Sequence, residues 1–224
     1  MAQLFGTDGI RGTANRFPMI PEMMVKIGMI LGTIFEKHPT EIIIGRDTRI
    51  SGQMLEYALS SGLAASGARV KLAGIIPTPA VAFLTRKYRA QAGIVISASH
   101  NLFQDNGVKI FSSDGFKLPD ELELQIEDRV LDEQAVYRRP IGTNIGTIER
   151  LDGGEEQYID HLLASVDFKE LSALRGIRIV VDCANGSASL IGPATFKRLQ
   201  AQVVELAAAP DGLNINQQCG ALHT

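Results

Sequence analysis

Short apolar runs alternate along most of this chain with longer stretches of helical spacing, and this alternation restricts the fold more than any other feature. The runs are too short for helices and are typical of buried strands. Strands that alternate with helices form parallel βαβ units with right-handed crossovers. The predicted strands are 41–45, 69–73, 93–96 and 108–111, and the predicted helices are 21–37, 53–65 (capped by Ser51), one after Pro77-Thr78-Pro79, and 119–133. The sequence therefore predicts an α/β fold with a mixed, mostly parallel sheet flanked by helices, and with 108–111 at the sheet's edge.

A stretch with little helical pattern separates this region from a second one. Residues 138–154 contain Pro140 and four glycines, which is typical of a boundary between domains. Beyond it, a predicted helix at 155–164, a buried strand at 176–182, a helical stretch interrupted at Gly192-Pro193 and a strand at 202–206 begin a new βαβ pattern. We therefore expect one domain over residues 1–150 and the start of a second, similar α/β domain over residues 151–224.

Composition excludes several classes of protein. The 224 residues carry a formal net charge of −3, which is not the basic balance of a general nucleic-acid binder, so we expect no nucleic acid as partner. No apolar run reaches the length of a membrane span and the first residues show no signal peptide, so we expect no membrane association. Cys183 and Cys219 have no paired or metal-type spacing, which favours inert positions in a reducing, cytoplasmic compartment.

One serine is the main candidate for chemistry. Ser99 follows the apolar run 93–96 and is adjoined by His100 and Asn101, while Lys109 follows a turn-forming Asp-Asn-Gly at 105–107. Open α/β sheets bind ligands at the carboxyl ends of their strands. A serine hydroxyl becomes a good nucleophile only with help from a base, a metal or a positive field. These residues alone leave two interpretations open, a reactive serine loop or a plain polar turn.

Five segments together resemble a known family. They are residues 5–12 (Phe-Gly-Thr-Asp-Gly-Ile-Arg-Gly), 45–49 (Gly-Arg-Asp-Thr-Arg), 97–101 with 105–109, 181–186 (Val-Asp-Cys-Ala-Asn-Gly) and 210–216 (Pro-Asp-Gly-Leu-Asn-Ile-Asn). In this order and spacing they resemble the α-D-phosphohexomutase family over the whole chain. Each segment alone is a weak signal, whereas the combination is specific.

The resemblance implies phosphoryl transfer on sugar phosphates. Family members interconvert 6-phospho and 1-phospho sugars through a phosphoserine and a sugar 1,6-bisphosphate intermediate, and Ser99 stands at the phosphoserine position. The phosphoserine binds a divalent cation, usually Mg²⁺, together with three aspartates of an Asp-Gly-Asp-x-Asp-Arg loop, which this sequence lacks. We therefore expect Ser99 as the metal ligand here, further ligands beyond this chain, and an N-terminal portion that is inactive alone.

The resemblance also gives roles to residues around Ser99. Lys109 stands where the family has a lysine that acts in proton transfer or charge stabilisation, and His100 where a histidine can donate to a phosphate oxygen. Arg11 lies in the first glycine-rich loop and is expected to face a substrate phosphate, since a guanidinium suits its geometry. A solvated surface or turn position is the alternative for each of these residues.

Other positions near the serine are expected to support it or to depart from the family. Arg46, Asp47 and Arg49 are predicted to brace the serine loop through charge-assisted hydrogen bonds rather than to touch substrate. Leu102 stands where the family usually has proline, so the loop is expected to be more mobile than is usual.

The substrate and the assembly have alternatives at this stage. The form of the first loop most resembles family members that act on glucosamine phosphates, with mannose or glucose phosphates as the alternative. A non-catalytic module that binds a phosphorylated sugar is another interpretation, whereas a serine hydrolase is disfavoured because no Gly-x-Ser-x-Gly elbow is present. We expect a phosphosugar as partner and, from the resemblance, a homodimer, with the Met- and Ile-rich helix 21–37 as its candidate surface.

Overall fold

The computed structural model describes residues 4–35, 39–166, 172 and 174–223. The elements in chain order are β1 Ile10–Thr13, α1 Pro21–Ile34, β2 Glu41–Arg46, α2 Gly52–Ala65, β3 Arg69–Ile75, α3 Thr78–Lys87, β4 Ala92–Ile96, β5 Asp105–Ser112, α4 Asp120–Leu131, β6 Ile148–Arg150, α5 Gly154–Ala164, β7 Arg178–Asp182, α6 Ile191–Arg198 and β8 Gln202–Leu206. The predicted helix 21–37 ends at Ile34, and Lys37 lies outside the described residues. Among the described helices, none is long and apolar enough to cross a bilayer.

Six strands form one mixed sheet in the order β1-β5-β4-β2-β3-β6. Neighbours from β4 through β6 are parallel, whereas β5 is antiparallel to both β4 and β1. The predicted fold class is therefore confirmed. The prediction that 108–111 is an edge strand was wrong, because β1 pairs with its outer side and places Ile10 opposite Val108.

Helices cover both faces of this sheet. Helices α1, α2 and α4 bury one apolar cluster against it, and α3 and α5 bury another on the opposite face. Every residue of β4 is buried, because helices exclude water from both faces of a central strand. The parallel strands β2, β3 and β4 have their carboxyl ends on the same side of the sheet, so the segments that follow them lie side by side.

Helices α1 and α2 approach each other closely through glycines. A Cβ on Gly28 would lie 2.3 Å from the carbonyl oxygen of Leu59, and one on Gly62 would lie 2.1 Å from that of Val25. Only glycine fits at such distances, so the two helices interlock and the apolar face of α1 is buried inside the chain. The apolar face of α1 is thus occupied within the chain. The homodimer and its surface stay predictions.

The second region has a smaller sheet, in which β7 pairs in parallel with β8. Residues 176–182 were predicted to be buried, but β7 alternates between exposed and half-buried positions, and Val180 is 59% exposed. Among the described residues only β8 pairs with this strand, so one of its edges has no cover. Gly192 and Pro193 lie in the first turn of α6 rather than interrupting it, because proline is tolerated where the N–H has no helical partner.

Candidate active site

The serine loop begins where β4 ends. Ser99 is exposed and has a φ of 56°, in the left-handed region that few residues other than glycine adopt. Its N–H donates to the hydroxyl of Ser97 over 3.1 Å, and the N–H of Asn101 donates to the carbonyl of Ala98 over 3.2 Å. These bonds turn the chain tightly around Ser99. Such a conformation costs about 1–3 kcal/mol and persists only where the surroundings hold it.

Arg49 anchors this loop from the segment after β2. Its side chain is buried, and its Nη2 donates to the carbonyl oxygens of Ser99 and Asn101 over 3.2 and 2.6 Å. Its Nη1 pairs with the carboxylate of Asp47. Burial lowers the pKa of Arg49, while Asp47 opposes that effect by stabilising the charged guanidinium. The prediction that Arg49 and Asp47 brace the serine loop is confirmed.

Arg46 does not brace the loop, so that part of the prediction was wrong. Its Nε donates to Oε2 of Glu56 over 3.1 Å, and both residues line a cleft of about 630 Å³ near the ends of β2 and β3. Glu56 is buried and, within the residues that the structure describes, its Oε1 has no hydrogen-bond partner. Burial raises the pKa of Glu56, and Arg46 lowers it by a smaller amount. This carboxylate is therefore incompletely satisfied in the folded chain.

Ser51 joins α2 to the strand that follows the serine loop. It stands at the N-cap of α2 but makes no capping hydrogen bond there, so the predicted cap was wrong. Its hydroxyl instead accepts a bond from Nδ2 of the buried Asn106 over 2.9 Å. A hydroxyl that satisfies a buried amide contributes to holding β5 in place beside the site.

The strand register places Arg11 and Lys109 on the same face of β5. Arg11 lies opposite Gly107, and Lys109 is two residues further along, so alternation of side chains sets both on one face. A Cβ on Gly107 would lie 3.0 Å from Cγ of Arg11 and 2.8 Å from the carbonyl oxygen of Ser97. The bare glycine thus lets the Arg11 side chain lie across β5 beside the start of the serine loop.

The first glycine-rich loop closes on Lys109. Gly9 has a φ of 85°, and a Cβ there would lie 3.3 Å from the Cα of Lys109 and closer still to the carbonyl oxygen of Val108. Lys109 is half-buried and lines a cavity of about 220 Å³ together with Asp8 and Lys117. Within the described residues its ammonium makes no ion pair. A cation in this position favours an anion nearby.

Arg11 and His100 are the other candidate residues of the first loop and of the serine loop. Nη2 of Arg11 pairs with the exposed Asp8 over 3.1 Å, and its buried Nε has no hydrogen-bond partner among the described residues. His100 is exposed and directly follows Ser99. In the part of the chain that the structure describes, no side chain hydrogen-bonds to the Ser99 hydroxyl. The described residues therefore do not show the Ser-His pairing of a hydrolase.

Both parts of the chain match one family. Residues 2–136 match phosphoglucomutase/phosphomannomutase, alpha/beta/alpha domain I, and residues 156–218 match alpha/beta/alpha domain II. The chain belongs to the phosphoglucomutase/phosphomannomutase family. The resemblance that the five sequence segments indicated is thereby confirmed.

Individual phosphohexomutases give the extent of the likeness. The chain is 50% identical to the phosphoglucosamine mutases of Anaeromyxobacter sp. (strain Fw109-5), over 227 residues, and of Syntrophus aciditrophicus (strain SB), over 223 residues. Each alignment covers 99% of this chain but only 48% or 49% of the relative, so the chain spans about half of their length. A crystal structure of a phosphoglucomutase/phosphomannomutase family protein from Burkholderia thailandensis matches with a TM-score of 0.77 and 26% identity, over 93% of this chain and 44% of that one.

One residue that contacts the serine loop was missed by the sequence reasoning. Nδ2 of Asn216 donates to the carbonyl oxygens of Ser99 and Asn101 over 2.9 and 2.8 Å, across 117 and 115 positions of sequence. The segment 210–216 carried a signal, since it fits the family pattern, but its turn-forming composition did not indicate a contact with the serine loop. The two family domains therefore meet at that loop.

Two further features concern possible metal ligands and the two thiols. They include no group of three or more His, Cys, Asp or Glu side chains that could hold a metal ion. Cys183 and Cys219 are free, and burial is the largest influence that raises the pKa of each thiol. A raised pKa lowers the fraction of reactive thiolate, in keeping with the inert role predicted for both.

Proposed function

We propose that the complete protein carrying this chain is a phosphoglucosamine mutase, which interconverts glucosamine 6-phosphate and glucosamine 1-phosphate. The observation that carries the proposal is Ser99, an exposed serine in a left-handed conformation whose carbonyl oxygen accepts a hydrogen bond from Arg49, on a chain 50% identical to mutases of that name. A chain of about half the length of those relatives is proposed to be inactive alone. Phosphomannomutase or phosphoglucomutase activity is the alternative within the family.

The proposed reaction passes one phosphoryl group through Ser99. The phosphorus–oxygen bond of phosphoserine breaks as a sugar hydroxyl oxygen bonds to the phosphorus, which leaves a sugar 1,6-bisphosphate and a serine hydroxyl. The bisphosphate reorients and returns its other phosphoryl group to the oxygen of Ser99. Such steps depend mainly on alignment and on neutralisation of charge.

The proposed roles of the neighbouring side chains follow from their charge. Lys109 stabilises the negative charge on the phosphoryl oxygens and can move a proton near the reacting oxygen. Arg11 offers a guanidinium whose Nε has no acceptor among the described residues, and a phosphate oxygen would satisfy that donor. His100 donates to a phosphate oxygen from the position next to Ser99.

We propose Mg²⁺ as cofactor, with a phosphoserine oxygen of Ser99 as one ligand. A bound Mg²⁺ would offset the negative charge of the phosphoryl oxygens. The described residues add no cluster of carboxylates around Ser99, so the other ligands are proposed to lie outside them.

The organisation and setting of the protein are proposed along the same lines. We divide the chain at residues 1–150 and 151–224, since β6 is the last strand of the first sheet and α5 begins at Gly154. Two free cysteines are compatible with a cytoplasmic location. The partners proposed are a phosphosugar substrate and a second copy of the protein, without nucleic acid or membrane.

Replacement of the serine tests the proposal directly. Ser99→Ala in the complete protein should reduce conversion of glucosamine 6-phosphate by at least about 1000-fold, because the oxygen that accepts the phosphoryl group is lost. Ser165→Ala, at an exposed position at the end of α5, is the matched control and should keep full activity. Retention of more than a tenth of the activity in Ser99→Ala would reject the phosphoserine.

The choice of sugar needs a separate measurement. Comparison of kcat/KM for glucosamine, mannose and glucose 6-phosphates separates the mutases of the family, since specificity is a ratio of these constants. Binding of all three without turnover would instead favour the non-catalytic module.

A further inference from the structure

Two donors from distant parts of the chain hold the same two carbonyl groups. Nη2 of Arg49 bonds to the carbonyl oxygens of Ser99 and Asn101, and so does Nδ2 of Asn216. Each NH₂ group has two hydrogens and each carbonyl oxygen has two lone pairs, so these four hydrogen bonds saturate both partners. We call this arrangement of Arg49, Asn216 and the two carbonyls the carbonyl clamp.

The carbonyl clamp fixes two peptide groups, the one between Ser99 and His100 and the one between Asn101 and Leu102. In a trans peptide the N–H points opposite to the preceding C=O. The N–H groups of His100 and Leu102 therefore point away from the clamp, and within the described residues neither has an acceptor. The clamp thus sets the orientation of the backbone that follows Ser99. It also restrains the left-handed conformation of Ser99, which would not persist in a free loop.

Two hydrogen bonds connect the second region to the residues that precede and follow Arg49. The hydroxyl of Thr48 donates to the carbonyl of Asn185 over 2.6 Å, and the N–H of Ile50 donates to the carbonyl of Gly212 over 2.9 Å. Arg49, between these two residues, bonds to the serine loop. One short segment therefore joins the second region to the first and holds the loop at the same time.

We propose that Asn216 is a positioning residue for Ser99, through which the placement of the second region sets the geometry of the serine loop. Its amide bonds only to backbone carbonyls of the loop and not to the Ser99 hydroxyl, so it acts through the loop. The kinetic part of this inference rests on the proposed function, whereas the structural part does not.

Two substitutions test the side-chain amide of Asn216 without changing the backbone around it. Asn216 has a φ of 59°, which glycine adopts without strain, so Asn216→Gly removes the side chain alone. Asn216→Asp keeps the size but turns a carboxylate oxygen toward two carbonyl oxygens, which repels them. Asn15→Gly is the matched control, because Asn15 is exposed, has a φ of 63° and takes no part in the four hydrogen bonds of the clamp.

The experiment uses the complete protein and two kinds of readout. Hydrogen exchange at the hydrogen-bonded amides of Ser99 and Asn101 should rise about tenfold in Asn216→Gly and Asn216→Asp, while exchange in β2 and β4 stays unchanged. Phosphorylation of Ser99 by glucose 1,6-bisphosphate, followed by intact mass, should slow by about 10- to 100-fold, and kcat should fall as much with KM within about threefold. Asn15→Gly should match the wild type in every measurement.

The results separate this inference from the proposed function. Wild-type exchange and kcat in Asn216→Gly would overturn the inference while Ser99→Ala still tests the mutase. Faster exchange with unchanged kcat would also overturn it, since Asn216 would then hold the loop without positioning Ser99. If Ser99→Ala keeps its activity, the proposed function and the kinetic role both fail, and the exchange data then decide whether Asn216 orders the loop.

Discussion

Replacement of Arg49 by methionine should lower the free energy of unfolding of the chain more than the replacement of any surface residue. Methionine has a similar length but no charge, and the side chains of Arg49 and Asp47 are 0% and 4% exposed. Removal of one partner from a buried ion pair leaves the other charge uncompensated, at a cost of about 3–5 kcal/mol. The lost hydrogen bonds to Ser99 and Asn101 add about 0.5–1.5 kcal/mol each. The sum is a large part of the roughly 5–15 kcal/mol that stabilises a folded protein.

Urea unfolding followed by circular dichroism measures this loss. Asp47→Asn combined with Arg49→Met should recover about 1–3 kcal/mol, because the neutral amide leaves no unpaired charge. Arg198→Met is the control, since Arg198 pairs with Glu156 and Asp160 on the surface and should cost less than about 1 kcal/mol. The reasoning is refuted if Arg49→Met costs no more than Arg198→Met, or if the double variant is less stable than Arg49→Met.

Two further predictions concern a buried carboxylate and the serine loop. Because burial raises the pKa of Glu56, the folded chain holds that proton more tightly than the unfolded chain does. This stabilisation is present below the pKa of Glu56 in the unfolded chain, about 4.3, and is lost as pH rises through the higher pKa of the folded chain. The free energy of unfolding of the wild type should therefore fall relative to that of Glu56→Gln over this pH interval. Urea midpoints of the two proteins that change in parallel with pH would contradict this. The N–H of Leu102 has no acceptor among the described residues, so Leu102→Pro should raise the free energy of unfolding by about 0.4–1 kcal/mol. The variant should keep phosphate on Ser99, which intact mass measures. Complete loss of phosphoserine would contradict this prediction.

The local sequence pattern predicts the central strands of the first sheet well, because burial on both faces requires short runs of apolar residues. The apolar runs in β2, β3 and β4 and the helical spacing of α1 and α2 each follow from burial within a few residues. Strand β1 was missed because Ile10 is its only large apolar residue. Its pairing depends on β5, far along the chain, and such a partner leaves no local signal.

The residues of the candidate site likewise divide into those that the local sequence indicates and those that it does not. Ser99, Lys109, His100 and Arg11 are predicted site residues because their segments match a family pattern, and Arg49 was identified because it closely follows a strand. Asn216 was not identified, since it contacts the serine loop across 117 positions. Local sequence describes a loop, but only the packing of two regions shows what holds it.

The pairing of β1 with β5 also orders events during synthesis of the chain. Ile10 leaves the ribosome long before Val108, the residue opposite to it in the finished sheet. The stretch that contains Arg11 must therefore wait unpaired while β2, β3 and β4 emerge and associate, because a domain completes its fold as a unit. The strand made first is among the last to be placed, and the position of Arg11 in the sheet is not fixed until β5 arrives.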